Sequence, residues 1–105
     1  MPIHDLRDVH AAARDRRIEY RGRKVMRDTA NLGYDLDDVA DCLLCLSERE
    51  FRKSHVRDVG PSDDEYICCY PRPGSDDDEA VDRLYVKFRL VDDCLIVDLG
   101  SFHLA

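Results

Sequence analysis

From Arg83 to Leu90 polar and apolar residues alternate without a break: Leu84, Val86, Phe88 and Leu90 fall on one side, Arg83, Tyr85, Lys87 and Arg89 on the other. A period of two marks a strand with one buried face, because successive side chains of an extended chain point to opposite sides of its sheet. Wound as a helix, the same residues would scatter those apolar groups around the whole circumference. The segment therefore calls for a sheet, a layer to cover its apolar side, and an opposite side that stays polar.

The covering layer is found in the first half. Ile3, Leu6, Val9 and Ala13 share a helical face, Asp5 is placed to cap that helix, and the pattern fades near Arg16. Ile18-Glu19-Tyr20 reads as a short extended link. A second helix is expected from about Lys24 to Leu32, with Gly33 just past its end, where a left-handed residue commonly closes a helix. The third has Asp35 at its N-cap, Asp37 and Asp38 in its first turn, and an apolar stripe of Leu36, Val39, Ala40, Leu43 and Leu46. Ser47-Glu48-Arg49-Glu50 reads as a turn at the helix end.

After Phe51 the period changes. Residues 51–57 form a candidate strand with Lys53, His55 and Arg57 on one face, and residues 65–70 another, stopped by Pro71 and Pro73. Asp92-Asp93 suits a tight turn, and residues 94–97 read as a strand buried on both faces. The expected fold is α/β of the α+β kind: N-terminal helices packed on a C-terminal antiparallel sheet, with residues 1–105 as a single domain.

The net charge of −7 argues against a general nucleic-acid binder, but the excess is local. Residues 1–60 hold twelve basic and twelve acidic side chains; residues 61–105 hold four and eleven. Much of the excess lies in Asp63-Asp64-Glu65 and Asp76-Asp77-Asp78-Glu79, both read as solvated loops, which leaves room for a basic surface elsewhere. The odd count of five cysteines, without a secretory signal or a membrane-spanning apolar run, points to reduced thiols and a cytoplasmic protein. Cys42 and Cys45 lack the second pair that a zinc site needs, so they are read as buried thiols, and Cys68 and Cys69 as packing residues. No metal site is expected, and of the four histidines only His55 falls near the polar strand face.

That face carries Arg83, Tyr85, Lys87 and Arg89 with no acid between them, and Lys53, His55 and Arg57 extend it. A plain solvated strand face is the competing reading. Such a surface suits cleavage of RNA by its own 2′-hydroxyl, which needs a base, an acid and cations on the phosphate, and no metal or other cofactor. A crowded cationic site would lower the pKa of a Lys or a Tyr. The candidate catalytic residues are Lys53, Tyr85, Lys87 and His55; Arg52, Arg57, Arg83 and Arg89 are candidates for phosphate binding.

Several runs, in order along the chain, resemble the MqsR toxin family. They are Leu32-Gly33-Tyr34-Asp35-Leu36-Asp37-Asp38, the stretch from Leu46 to Ser54 (similar to a family segment ending Phe-Tyr-Lys-Ser), Leu84-Tyr85-Val86-Lys87-Phe88, and Asp93-Cys94-Leu95-Ile96-Val97. The resemblance implies a RelE-like ribonuclease fold and an mRNA endonuclease that arrests growth. It also implies an antitoxin partner with a helix-turn-helix part and a zinc-binding part. It places the family's functional Lys on Lys53 and its functional Tyr on Tyr85. The chain departs from the pattern at Arg52 in place of a Tyr, at Ile67 in place of a functional Gln, and at Asp98-Leu99-Gly100 in place of Ser-Phe-Lys. A toxin-like protein that binds partners without catalysis is the alternative those departures support.

Overall fold

The computed structural model describes residues 1–105. Helix α1 spans Leu6–Arg14, α2 Arg23–Leu32 and α3 Leu36–Leu44; strands β1 to β5 span Ile18–Tyr20, Phe51–His55, Asp63–Pro71, Val81–Val91 and Ile96–Leu104. The sheet runs in the order β1-β5-β4-β3-β2, antiparallel throughout except where β1 lies parallel to β5. This is the expected α+β layering, helices first and sheet second, with one addition. Residues 18–20 are not a link but an edge strand, in register with Val97, Asp98 and Leu99. No helix is long and apolar enough to cross a membrane.

The helices begin and end where local chemistry dictates. Asp5 accepts from the Arg7 backbone N–H at 2.9 Å. Asp35 and Asp38 form a reciprocal capping box, each carboxylate accepting the other residue's backbone N–H. Gly33 closes α2 at φ 82°, a conformation that costs a residue with a Cβ. Ser47 accepts from the Arg49 N–H and donates to Glu50, which holds a short 3-10 turn at Glu48–Glu50 ahead of β2.

The core lies between helices and sheet. Val9, Ala12 and Ala13 of α1, and Val39, Ala40, Cys42 and Leu43 of α3, meet Tyr66, Leu84, Val86, Phe88, Val97, Leu99 and Phe102 from the strands. Tyr66 stacks on Phe88 with ring centroids 5.4 Å apart, and Phe51 meets Tyr66 edge-on. Two stripe residues differ from expectation: Ile3 and Leu36 are exposed, because α1 starts after Ile3 and α3 turns its first residue outward. Cys42 and Cys68 are buried, whereas Cys45, which ends α3, and Cys69, on the outer face of β3, are exposed rather than packed.

The last hairpin is also redrawn. Asp92, Asp93 and Cys94 all have positive φ (54°, 55° and 67°), so the turn reaches Leu95 and the strand begins only at Ile96. Asp tolerates the left-handed region better than most residues, which explains the Asp-Asp pair at the head of the turn. Cys94 and Leu95 are therefore exposed turn residues, and β5 is buried on one face only. It runs on to Leu104, through residues that carry too little apolar alternation to announce a strand.

The largest departure concerns the acidic run at 63–65. It opens β3 instead of forming a loop, and Asp63 and Asp64 are 2% and 0% exposed. Asp64 faces the helical side, where it accepts the backbone N–H groups of Ile3 and His4 and the Ser54 hydroxyl, tying the chain's first residues to β3. Asp63 faces the polar side, where it receives Arg21 in a two-bond fork at 2.8 and 3.1 Å and Arg89 at 3.0 Å. Arg21 leaves the end of β1, also donates to Asp98 of β5 at 3.1 Å, and passes over Gly100 on its way to β3. Asp76-Asp77-Asp78-Glu79, by contrast, is exposed as expected.

Burial alone would raise the Asp63 carboxyl, but the hydrogen bonds and charges of Arg21 and Arg89 outweigh it and pull the pKa down to about 2. A carboxylate depressed on folding stabilises above its unfolded pKa and loses that contribution as pH falls through its folded one. The clamp therefore contributes about 2 kcal/mol at neutral pH, lost between pH 4 and 2. Asp63→Asn should flatten that acid slope in urea unfolding and cost about 3 kcal/mol at pH 7, since two guanidiniums lose their buried counter-charge and are left to share Asp98. A Cβ at Gly100 would lie 2.5 Å from Arg21 Nη1 and 2.9 Å from Cζ. Gly100→Ala should displace the guanidinium and cost about 1–3 kcal/mol. Combined with Arg21→Met it should add little further, because both changes break one contact.

Candidate RNA-cleaving face

On the side of the sheet away from the helices, side chains line up in rows across the strands. In the central row Lys53 (β2), Glu65 (β3), Lys87 (β4) and Ser101 (β5) are consecutive register partners. On one side of it His55 is the partner of Asp63, and Arg89 of Asp98. On the other side Ile67, Tyr85 and His103 lie abreast. Arg83 and Cys69 make the next row out.

Glu65 is the hinge of this array. Its Oε1 accepts both the Tyr85 hydroxyl at 2.7 Å and His55 Nε2 at 2.8 Å. Burial pushes the Glu65 carboxyl up, but the bonds from Tyr85 and His55, with Lys53 nearby, hold it below the usual carboxylate range. Tyr85 responds in the opposite sense. Burial, then the bond to Glu65, raise its phenol to about 12. The expectation that a cationic site would lower a Tyr pKa is thus reversed here, because the nearest charge to Tyr85 is a carboxylate. At neutral pH Tyr85 is a fixed donor to Glu65.

The structure brings Lys53, His55, Tyr85 and Lys87 onto one patch. Neither lysine is in an ion pair; Lys53 is exposed and Lys87 half-buried, on the strands that flank Glu65. Arg83 is exposed one row further out, and Arg52 stands at the irregularity in β2 where pairing slips between Phe51 and Lys53. Arg57 follows β2 in the loop, exposed. Arg89 is placed differently: its side chain is 11% exposed and committed to Asp63, so it belongs to the frame under the site rather than to a phosphate contact.

Sequence reasoning missed three participants. Glu65 falls both in the acidic run read as a loop and at the head of the candidate strand 65–70, and neither reading gives it a role; the alternation Asp63, Glu65, Ile67 against Asp64, Tyr66, Cys68 puts it on the polar face. Arg21 gives no signal at all in sequence; its role depends on the parallel pairing of β1. His103 lies beyond the strand as first read, yet its ring stacks on Tyr85 at 4.9 Å and 9°. In the register of β4 and β5, His103 lies directly opposite Tyr85.

No group of side chains in the fold is arranged to hold a metal ion. A groove of about 490 Å³ lies at the N-terminus among Met1, His4, His10 and Glu48, apart from the polar face.

No curated protein matches the chain with significance. A family model does, over residues 1–103: the family described as motility quorum-sensing regulator, toxin of MqsA. The match takes in both halves of the fold, the helical layer and every strand of the polar face. The chain belongs to the MqsR family, toxins of toxin–antitoxin systems.

Proposed function

We propose that this toxin is a metal-independent endoribonuclease that cuts mRNA on the polar sheet face and so stops translation and growth in the cytoplasm. The observation that carries this reading is the central row: two unpaired ammoniums, Lys53 and Lys87, on either side of a carboxylate that fixes Tyr85 and His55. Adjacent strands lie about 4.8 Å apart, so the two lysine stems stand roughly 10 Å from each other across β3. That span lets both reach one phosphodiester and neutralise the charge that builds on its oxygens. Arg83, Arg52 and Arg57 would hold neighbouring phosphates, while Tyr85 orients the site without giving up its proton.

The antitoxin follows from family membership, and its properties from charge. A toxin of net charge −7 is repelled by DNA, so operator binding falls to the partner, which we expect to carry a basic helix-turn-helix part and a zinc-binding part. The exposed acids at 76–79 offer a surface for basic residues on that partner.

Purified protein should cut mRNA in the presence of a chelator and leave 2′,3′-cyclic phosphate and 5′-hydroxyl ends; activity that vanishes with chelator and returns with a divalent metal would overturn the mechanism. Lys53→Ala should lower cleavage about a hundredfold and restore growth on overexpression. If wild type and Lys53→Ala grow equally well, the chain is a non-catalytic interaction module. Removing either lysine should also lessen the salt dependence of RNA binding, by about 0.7 in the log–log slope. Co-expression with the neighbouring small gene product should give a single complex on size exclusion; separate elution at micromolar concentration would remove the antitoxin from the account.

A further inference from the structure

The cleaving face must still move two protons, and Tyr85 is held in its protonated form. We propose that His55 and His103 are the acid–base pair of this face, with Glu65 as the residue that positions His55; the assignment rests on the RNA-cleaving reading above. Each imidazole has one nitrogen tied and one left free. Glu65 is a carboxylate and can only accept, so His55 Nε2 must donate to it, and the lone pair lies on Nδ1, which has no protein partner. His103 Nδ1 bonds the Leu104 carbonyl at 2.9 Å, so it too must donate, and Nε2 is the nitrogen free to exchange a proton.

The two rings reach the Glu65–Tyr85 unit from opposite ends, one on the carboxylate, the other stacked on the phenol ring. They also stand on opposite sides of the lysine row: His55 in the row of Asp63, His103 in the row of Ile67 and Tyr85. Displacement at phosphorus needs the attacking and leaving oxygens on opposite sides of the phosphate. The register thus sets one imidazole on each side of the row from which Lys53 and Lys87 would hold a phosphate.

The step balances as follows. Neutral His55 takes the proton of the 2′-hydroxyl at Nδ1 as O2′ forms its bond to phosphorus. The bond from phosphorus to O5′ breaks, and protonated His103 gives its Nε2 proton to O5′. The products are a 2′,3′-cyclic phosphate and a 5′-hydroxyl, and exchange with water resets both rings.

The charged groups around each ring are specific. His55 faces Glu65 and Asp63 on β3 and follows Lys53 on its own strand. His103 faces Tyr85 on β4, with Arg83 one row further along, and Asp28 of α2, flanked by Lys24 and Arg27, is close enough to feel its charge. A single-base, single-acid reaction gives kcat/KM a bell-shaped pH profile, one limb from each ring.

The test uses the full chain and an RNA whose cleavage site is mapped with wild type. His55→Gln keeps a donor for Glu65 but has no base, and His103→Asn keeps the donor for Leu104 but has no acid, so both should fold with unchanged melting temperature. Each should lose about a hundredfold or more in kcat/KM. His55→Gln should lose the limb that rises with pH, and His103→Asn the limb that falls. On RNA carrying a bridging sulfur in place of O5′ at that linkage, the leaving thiolate needs no proton: His103→Asn should recover to near the wild-type rate and His55→Gln should not. Glu65→Ala should lower kcat without raising KM. If wild type cleaves while either histidine variant stays within threefold of it, or if the sulfur substrate fails to separate the two variants, this assignment is wrong and the RNA-cleaving reading stands. If wild type cleaves nothing, both fall.

Discussion

Asp63 is a carboxylate almost fully removed from water with two guanidiniums on it, and the polar side of the sheet is organised around that contact. An unpaired buried carboxylate would cost several kcal/mol, so the strand that carries it is stable only if Arg21 and Arg89 arrive. Arg89 comes from the neighbouring strand. Arg21 comes from the far edge, over β5, and reaches Asp63 only because Gly100 has no side chain in its path. The clamp thus links β1, β5, β4 and β3 by side chains, in the same strand-to-strand direction in which the backbone ladder already joins them.

The same strand shows how a short acidic run can serve three ends. Alternation sends Asp63 and Glu65 to the polar side and Asp64 to the helical side. Asp64 binds backbone N–H groups and anchors the N-terminus, Asp63 builds the frame, and Glu65 orders His55 and Tyr85. None of the three repels a phosphate as strongly as its formal charge suggests, since each is matched by donors at hydrogen-bond distance. The free positive charge of the face is then that of Lys53, Lys87 and the outer arginines, which is why an acidic protein can present a cationic surface.

Neutralisation divides the basic residues by role. Arginine can fork two bonds onto one carboxylate and remains charged when desolvated, which suits Arg21 and Arg89 to the frame. Lysine is a strongly hydrated point charge on a flexible stem, which suits Lys53 and Lys87 to a ligand that comes and goes. Arg89, expected on the phosphate side by its place in the alternation, was drawn into the frame by a partner on another strand.

Periodicity and end signals in the sequence determined the three helices with their caps at Asp5 and Asp35, the strand at 83–90 and its two faces, and the shared strand faces of Lys53 with His55 and of Tyr85 with Lys87, because each of these follows from side chains a few residues apart. The tertiary structure alone decided the parallel edge strand, the burial of Asp63 and Asp64, and the entry of Arg21, Glu65 and His103 into the site. These depend on contacts between residues far apart in the chain: Arg21 meets Asp63 and Asp98, Tyr85 meets His103 and Glu65. Alternation states which way a side chain points but not what it meets, and the charge of an acid in a sequence is silent on whether water or a guanidinium will solvate it.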